Sequence, residues 1–415
     1  MNTFTLLFIC ALIVSFGVEY WLAKRQSNYV AKHRGAVPEA FKDRVSLDAH
    51  QKAADYTIAK GKLGDIDRII SVLALLLLTL GGGINLTFAY WANLVESPFI
   101  AGIAATATIF LMMTLIELPS SVYQTFVIEE QFGFNKSTVR QFIKDHALQL
   151  VLGAAIGLPL LALILWVMDS IGPSWWLWAW AILMGFSLLM SWLYPTVIAP
   201  LFNTFTPMED GSLKNRIQGL LERCGFNSQG IFIMDGSKRS GHGNAYFTGL
   251  GNNKRIVFFD NLVNSLDEEE LEAVLAHELG HFKHKHVIKM LVATSVISLI
   301  GFGILGWLID QDWFYTGLGV AIEQKSHAVA LLLFMLVSAT FTFFLQPASA
   351  YVQRKFEFEA DDFAASNADA SKMISGLVKL YEENASTLTP DPLYSAFHYS
   401  HPPAAIRIAH LEASA

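Results

Sequence analysis

Two histidines in the string His277-Glu278-Leu279-Gly280-His281 are the residues best suited to chemistry in this chain. On an α-helix, residues four apart lie on one face with Cβ atoms about 5–6 Å apart, so both imidazoles can reach one metal ion. Glu278 follows the first histidine and can lean over the open side of that metal as a general base. The pattern therefore predicts a catalytic zinc site.

A third ligand is predicted from an acidic pair much further along the chain. Glu357 and Asp361 are four residues apart, so they share one face of a helix. We expect Glu357 to bind the metal and Asp361 to orient a ligating imidazole, while Glu359 points elsewhere on the helix. The alternative is a solvated acidic helix face. The prediction is one Zn²⁺ per chain, held by His277, His281 and Glu357.

The zinc-binding helix carries signals for its own ends. Ser265 and Glu268 form a Ser-x-x-Glu pattern, which predicts a capping box, and the acidic residues around them suit the positive end of the helix dipole. We expect His284 and His286, near the other end, to be solvent-facing residues and not ligands. The paired histidines are therefore predicted to lie on a helix, as metal binding requires.

The composition points to a membrane protein. The chain has 415 residues, of which 53% are hydrophobic and only 16% are charged, and its mean hydropathy is +0.40. A net charge of −7 without a sustained basic run argues against binding to nucleic acid. Cys10 and Cys224 supply neither a disulfide framework nor a cysteine zinc cluster.

Seven segments have the length and apolar character of membrane spans, since about 18 apolar residues cross a hydrocarbon core of about 30 Å. The first looks like an uncleaved anchor with its N-terminus outside, because Lys24 and Arg25 follow the apolar run and basic residues do not precede it. The predicted spans are Thr3 to Ala23, Ile69 to Trp91, Ile100 to Leu118, Ala147 to Met168, Trp175 to Ala199, Val287 to Ile309 and Ala328 to Leu345.

The distribution of basic residues predicts the orientation of these spans. The loop from Lys24 to Arg68 is rich in lysine and arginine, whereas Ala92 to Phe99 and Asp169 to Ser174 contain neither. By the positive-inside rule, both halves of the zinc site then lie on the cytoplasmic side. We expect a multi-pass integral membrane protein with a cytoplasmic active site, in the inner membrane of a bacterium, or in the endoplasmic reticulum if the source is a eukaryote.

Four segments follow from these patterns. Residues 1–201 hold spans one to five with their cytoplasmic loops, and residues 202–286 form a cytoplasmic α+β insert that includes the zinc-binding helix. Residues 287–345 hold spans six and seven, and residues 346–415 form a C-terminal cytoplasmic region with the third ligand. Inside the insert we predict a helix at Leu213 to Cys224 and strands at Ile231 to Met234, Ala245 to Thr248 and Ile256 to Phe259.

Several longer motifs, in a fixed order, carry a family resemblance. They are Phe126 to Asn135, Pro200 to Asn203, Ser237 to Ser240 followed by Asn244 to Gly249, the zinc-binding helix, Glu357 to Asp361 and His401 to Pro403. Together they resemble integral-membrane zinc metalloproteases of the Ste24-like type I CAAX prenyl protease group, in family M48. The chain departs from that group at Glu359, where glutamine is frequent, and at Gln353, where serine is common.

The resemblance implies a fold, a substrate and partners. The implied fold is a predominantly α-helical multi-pass membrane protein in which about seven helices enclose a water-filled chamber, with a small zincin-like α+β insert. Glu117, Glu129 and Glu130 fit such a chamber, because charge is costly against lipid. The implied partners are the lipid bilayer and a peptide or protein substrate, prenylated or not, that is cut near its C-terminus. Nucleic acid is not among them.

Two other functions remain open at this stage. One is a quality-control metalloprotease of broader specificity that degrades membrane proteins with the same chemistry. The other is a membrane chamber that binds metal or lipid without turnover, although Glu278 beside both histidines argues against it.

The substrate-binding residues are predicted from the same picture. We expect an exposed edge strand on which an extended peptide docks through backbone hydrogen bonds, formed by Asn244, Ala245, Tyr246 and Phe247 with Thr248. The alternative is an ordinary buried strand.

The remaining catalytic assignments are hypotheses. Glu278 is the general base, His401 is a candidate donor to the oxyanion, and Asp361 orients a ligand. Arg407 is a possible partner of the acidic residues, and His242, between two glycines, has the alternative of a simple loop residue.

Overall fold

The computed structural model describes residues 2–226, 228, 230–248 and 255–414, and most of them are helical. The first half of the chain consists of long helices joined by short loops. A π-helical segment at Gln124–Glu129 extends the fourth of them, and another at Tyr194–Ile198 joins the sixth to the seventh. The helices are α1 (Thr3–His33), α2 (Leu47–Leu78), α3 (Gly83–Leu94), α4 (Pro98–Tyr123), α5 (Val139–Ser170), α6 (Trp175–Leu193) and α7 (Ala199–Phe202).

The second half combines a small sheet with further helices. In chain order the elements are β1 (Phe205–Pro207), α8 (Ser212–Arg223), β2 (Ile231–Met234), β3 (Ala245–Thr248), β4 (Arg255–Phe259), α9 (Asp260–Ser265), α10 (Glu268–Lys283), α11 (His286–Leu308), α12 (Asp312–Gly317), α13 (His327–Thr342), α14 (Gln346–Asn367), α15 (Ala370–Glu383), α16 (Pro392–His398) and α17 (Ala404–Ser414).

Seven spans can be traced within the described residues, of which one is broken. Six are helices long and apolar enough to cross a membrane, and the seventh is the pair α2 and α3, bent by 53°. The prediction of one continuous span from Ile69 to Trp91 was wrong at this point. The chain turns at Gly81-Gly82-Gly83, where Gly82 has φ = 81° and a Cβ on Gly81 would lie 2.7 Å from the carbonyl oxygen of Leu77.

The spans form a closed ring. Each helix contacts the next in the order α1, α2, α4, α5, α6, α11 and α13, and α13 contacts α1. An apolar cluster that includes Phe8, Leu165, Leu305 and Leu332 fills the end of the ring where α1 and α13 begin. Seven helices around an interior confirm the predicted fold class.

The sheet has the strand order β1-β2-β4-β3. β2 and β4 are parallel, and the outer strands β1 and β3 are antiparallel to their neighbours. The predicted strands are confirmed to within one residue, whereas β1 was not predicted. Pro207 makes β1 a poor strand candidate by sequence, but an edge position tolerates proline because one side of the strand needs no partner. β3 lies at the opposite edge.

One hydrophobic core joins the predicted insert to the C-terminal region. Phe258 of β4 and Leu275 of α10 are buried in the same cluster as Ala364 of α14 and Ile408 of α17. The insert and the C-terminal region, which are separate segments in the sequence, therefore pack as one unit in the folded chain. The two halves of the predicted zinc site belong to one rigid core.

Two membrane helices lead directly into this core. The helical run His327–Asn367 is 41 residues long, or about 60 Å at 1.5 Å per residue, roughly twice a hydrocarbon core. It carries Glu357 on its far part. On the other side, α10 turns into α11 at Lys285, which has a left-handed conformation with φ = 57°. The helices that join these two membrane helices, α14 and α10, carry Glu357 and the two histidines.

The bend between α2 and α3 gives a first test. Substitution of Gly82 by alanine should lower stability by about 1 kcal/mol, because a Cβ is unfavourable at positive φ, and a thermal melt in detergent measures the change. Gly153→Ala in α5 is the matched control, since the space around Gly153 is equally open. Equal melting temperatures for the two variants would show that the bend does not require glycine.

Candidate metal centre

The helix that carries the paired histidines begins at a strong cap. The backbone N–H of Glu270 donates to the Asp267 side chain at 2.8 Å, and the Asp267 N–H donates back to the Glu270 carboxylate at 2.8 Å. The predicted capping box of Ser265 and Glu268 was wrong, because Ser265 ends α9 and Leu266 is extended before α10 starts. Lys379 then binds Glu270 at 2.7 Å, which fixes α10 to α15.

Glycine inside the histidine motif lets α10 lie very close to α14. A Cβ on Gly280 would stand 2.8 Å from the Cα of Ala360 and 3.1 Å from its carbonyl oxygen. Real Cβ atoms do not approach a backbone so closely, so this position excludes a side chain unless the helices separate. The contact brings Glu357 of α14 under the two histidines.

The three predicted ligands meet in one cluster. Nε2 of His277 and Nε2 of His281 are 3.2 Å apart. Glu357 places Oε2 3.5 Å from the first nitrogen and Oε1 3.3 Å from the second. These donor atoms all lie within 4.8 Å of one another.

These distances fit a tetrahedral zinc ion. Donors about 2.05 Å from zinc in a tetrahedral arrangement are about 3.3 Å from one another. The two imidazole nitrogens are close to that separation, and one oxygen of Glu357 faces each of them at a similar distance. Oε2 of Glu357 is buried without a hydrogen bond from any described residue, and Nη1 of Arg407 lies 3.6 Å from it. Two imidazoles and one carboxylate form the donor set typical of a catalytic zinc site with an open fourth position.

A buried ion pair supports the first ligand from behind. Oδ1 of Asp361 lies 2.8 Å from Nδ1 of His277, the ring nitrogen that faces away from the cluster. Arg407 of α17 binds the same carboxylate, with Nε at 2.9 Å and Nη2 at 2.5 Å. The structure thus brings Asp361 and Arg407 together in the arrangement that the sequence suggested for both.

These contacts change the acidity of two groups on α10. Burial and the charge of Arg407 lower the pKa of His277, but hydrogen bonds to Asp361 and Glu357 outweigh them and raise it to about 9. Burial raises the pKa of the Glu278 carboxyl, although the neighbouring His277 and His281 oppose the shift. A raised pKa suits a carboxylate that must accept a proton near neutral pH.

His286 does not face solvent, so that prediction was wrong. Its side chain is buried, stacks on Phe356 at 4.1 Å and places Nδ1 3.0 Å from Nδ1 of His281. Nε2 of His286 lies 2.9 Å from Oε2 of Glu359. The turn at Lys285 produces this arrangement, because it folds α11 back beside the site, and a sequence pattern cannot show that. His284 is exposed, as predicted.

The relay from His281 to Glu359 has a definite direction. With Nε2 of His281 as the ligand, its Nδ1 must carry the hydrogen and donate to His286, which in turn donates from Nε2 to Glu359. Outer hydrogen bonds of this kind fix the orientation of ligating imidazoles. Glu359, which we expected to point elsewhere, therefore acts on the site through His286.

His401 lies at the open rim of the cluster. Its Nε2 atom is 3.3 Å from Oε1 of Glu357, and its side chain is 61% exposed. The hydroxyl of Ser400 is 2.8 Å from its Nδ1. The position is compatible with contact to a substrate above the ligands.

The predicted substrate strand lies at a sheet edge. Within the described residues β3 pairs with β4 alone, so its other edge is available to an extended peptide. Asn244 is exposed, Ala245 is buried, and Tyr246 and Phe247 are half-buried. β3 also packs against α10.

Comparison with known proteins now identifies the family. Residues 207–415 match the profile of peptidase family M48, and residues 26–204 match a profile described as CAAX prenyl protease N-terminal, five membrane helices. The chain belongs to peptidase family M48. It is a membrane metalloprotease of the Ste24-like CAAX prenyl protease group.

Relatives support this over almost the whole chain. A CAAX prenyl protease 1 homolog from Dictyostelium discoideum is 36% identical over 92% of this chain and 91% of its own length. CAAX prenyl protease 1 from Saccharomyces cerevisiae is 33% identical over 96% and 93%. The crystal structure of S. mikatae Ste24p superposes with a TM-score of 0.91, at 32% identity, over 99% of both chains.

The close approach of α10 and α14 gives a second test. Gly280→Ala should weaken zinc binding and lower stability, because overpacking costs about 1–3 kcal/mol and exceeds the gain of about 1 kcal/mol from helix propensity. Zinc content after dialysis and a thermal melt report both effects. Gly301→Ala in α11, where a Cβ would meet Phe334 at an ordinary 3.8 Å, should leave zinc content unchanged and should not lower stability. Full zinc content in Gly280→Ala would show that the contact is not needed.

The histidine relay gives a third test. His286→Ala should weaken zinc binding by about 10–100-fold, as is typical for loss of an outer hydrogen bond to a ligand, whereas His284→Ala should leave it unchanged. Competition with a fluorescent zinc chelator measures both. Glu359→Gln keeps a hydrogen-bonding side chain and should have a smaller effect than His286→Ala. Equal zinc affinity in the two histidine variants would rule out the relay.

Proposed function

We propose that this protein is a zinc metalloendopeptidase that cleaves membrane-associated peptides near their C-termini, including prenylated CAAX-type peptides. One observation carries the proposal: three donors at tetrahedral spacing lie beside Glu278 and next to a sheet edge that is free to pair. The relatives named as CAAX prenyl proteases support the substrate class.

The metal would be held by His277, His281 and Glu357. When bound, zinc supplies a Lewis acid that polarises the scissile carbonyl and acidifies water. Glu278 accepts the proton of the attacking water on its carboxylate and passes it to the nitrogen of the leaving amine. Burial, which raises its pKa, makes Glu278 a stronger base for the first half of this transfer.

The substrate would lie along β3. Its backbone would pair with the free edge at Ala245, Tyr246 and Phe247, while Asn244 binds the peptide through its exposed amide. Backbone pairing accepts varied side chains, which suits a protease with many substrates. His401, at the rim of the cluster, would donate a hydrogen bond to the oxyanion, an interaction worth about 100–1000-fold in rate elsewhere.

The active site would face the cytoplasm. The basic segment from Lys24 to Arg68 packs beside the metalloprotease core, since its residues Phe41 and Val45 are buried in that core. By the positive-inside rule this face of the membrane is cytoplasmic. The bilayer would thus present the modified C-terminus of a substrate to the ring of helices.

Cleavage of a farnesylated CAAX peptide by the purified protein in detergent tests the function. We expect zinc-dependent cleavage that chelation abolishes and added zinc restores. Glu278→Gln should reduce kcat at least about 100-fold, since a general base contributes about 10²–10⁴, and should leave bound zinc unchanged.

The same assay separates substrate classes. An unmodified peptide of the same sequence and a destabilised membrane protein serve as comparison substrates. Preference for the farnesylated peptide supports cleavage of prenylated CAAX-type substrates, and equal cleavage of all three supports broad quality-control proteolysis. Full activity in Glu278→Gln would contradict the catalytic assignment.

A further inference from the structure

The motif Phe126 to Asn135 is not part of the metal centre. It forms the π-helical end of α4 and a turn at Gly133 with φ = 82°. The chain after the turn pairs with the loop that precedes β3: Asn135 bridges Ser240, and the N–H of Gly241 donates to the carbonyl of Phe134 at 2.9 Å. A membrane helix is thus joined by backbone contacts to the approach of the proposed substrate strand.

His242 lies at the centre of this junction. Its ring stacks on Phe134 at 4.3 Å, and its Nε2 atom is 3.4 Å from the Tyr56 hydroxyl of α2 and 3.5 Å from Oε2 of Glu129. On the other side of the ring, Nδ1 is 3.2 Å from Oδ1 of Asn384. A simple loop residue would not be held from α2, the end of α4 and the end of α15 at once.

Glu129 is oriented toward that histidine. Its Oε1 atom accepts hydrogen bonds from the Tyr56 hydroxyl at 2.6 Å and from the Gln124 amide at 2.5 Å. Its Oε2 atom is buried without a hydrogen bond from the described residues and faces His242. The carboxylate of Glu129 therefore joins α2 to this loop.

The same loop is tied down immediately before β3. The N–H of Gly243 donates to Oδ1 of Asn384 at 3.1 Å, and the Asn261 amide donates to the carbonyl of Ser240 at 2.8 Å. Arg239 binds both oxygens of Asp145 in α5 at 2.7 and 3.1 Å. The start of β3 is therefore fixed to three membrane helices.

We propose that Tyr56, Glu129, Phe134, His242 and Asn384 form a brace that sets the position of β3 relative to the metal centre and so sets the register of a bound peptide. These five are positioning residues, since their contacts are with one another and not with the metal ligands. The inference rests on the proposed function, because it assumes that a peptide pairs with β3.

The brace connects the edge strand β3 to particular membrane helices. Movement of α2 or α4 would displace His242 and, three residues later, Ala245, the first residue proposed to pair with the substrate backbone. The brace therefore couples the helix ring to the edge strand, so that the strand holds one position over the ligands when a peptide enters from the membrane side.

Two measurements on full-length, zinc-loaded variants test the brace. In His242→Ala and Glu129→Gln, the amides of residues 245–248 should exchange hydrogen faster, and KM for the peptide should rise about tenfold with kcat changed less than about threefold, the pattern for lost binding of ground and transition states alike. His242→Gln, whose amide can still reach Glu129, should restore much of the affinity. Effects of the two brace substitutions should not add when combined.

Arg34→Gln is the matched control, because the ion pair of Arg34 with Asp55 of α2, at 2.7 Å, involves neither the five brace residues nor β3. Unchanged exchange of residues 245–248 in both brace variants would overturn the proposal whether or not the protein cleaves peptides. Faster exchange with unaltered KM would overturn the positioning role. Absence of cleavage by the unmodified protein would instead count against the proposed function, while the exchange data still decide the brace.

Discussion

The close contact of α10 with α14 is the constraint on which the metal centre depends. Helix axes usually lie about 8–10 Å apart, and Gly280 permits a tight approach because its missing side chain leaves room for the backbone of Ala360. Because α10 and α14 lie so close together, the carboxylate of Glu357 reaches both imidazoles. Helix packing thus brings side chains from elements far apart in sequence to distances that suit a tetrahedral metal ion.

Buried charges surround this contact, and each has a partner. Asp361 and Arg407 are almost fully buried, which is costly for single charges but tolerable for a bidentate pair. Their contact with His277 makes α17, the last helix of the chain, a structural part of the site. His281 has a separate support from His286 on a membrane helix. The two ligating imidazoles are therefore fixed from two different directions.

The membrane helices position the site as well as anchor it. The continuous run from α13 into α14 carries Glu357, and α11 starts at the turn that follows the histidine motif. A second connection to β3 runs from α2 and α4 through His242 and from α5 through Arg239. The histidine and glutamate cluster and the edge strand are accordingly held by different members of one ring.

The sequence by itself determined the elements and most of the chemistry. Spacing of four residues placed His277 and His281 on one helix face, apolar length predicted the spans, and short apolar runs predicted three strands. It could not show the break at Gly82, the cap at Asp267 or the strand at Pro207, because local patterns there compete closely. The burial of His286 and the contacts that hold His242 were decided only by tertiary structure, since both depend on contacts between helices remote in sequence.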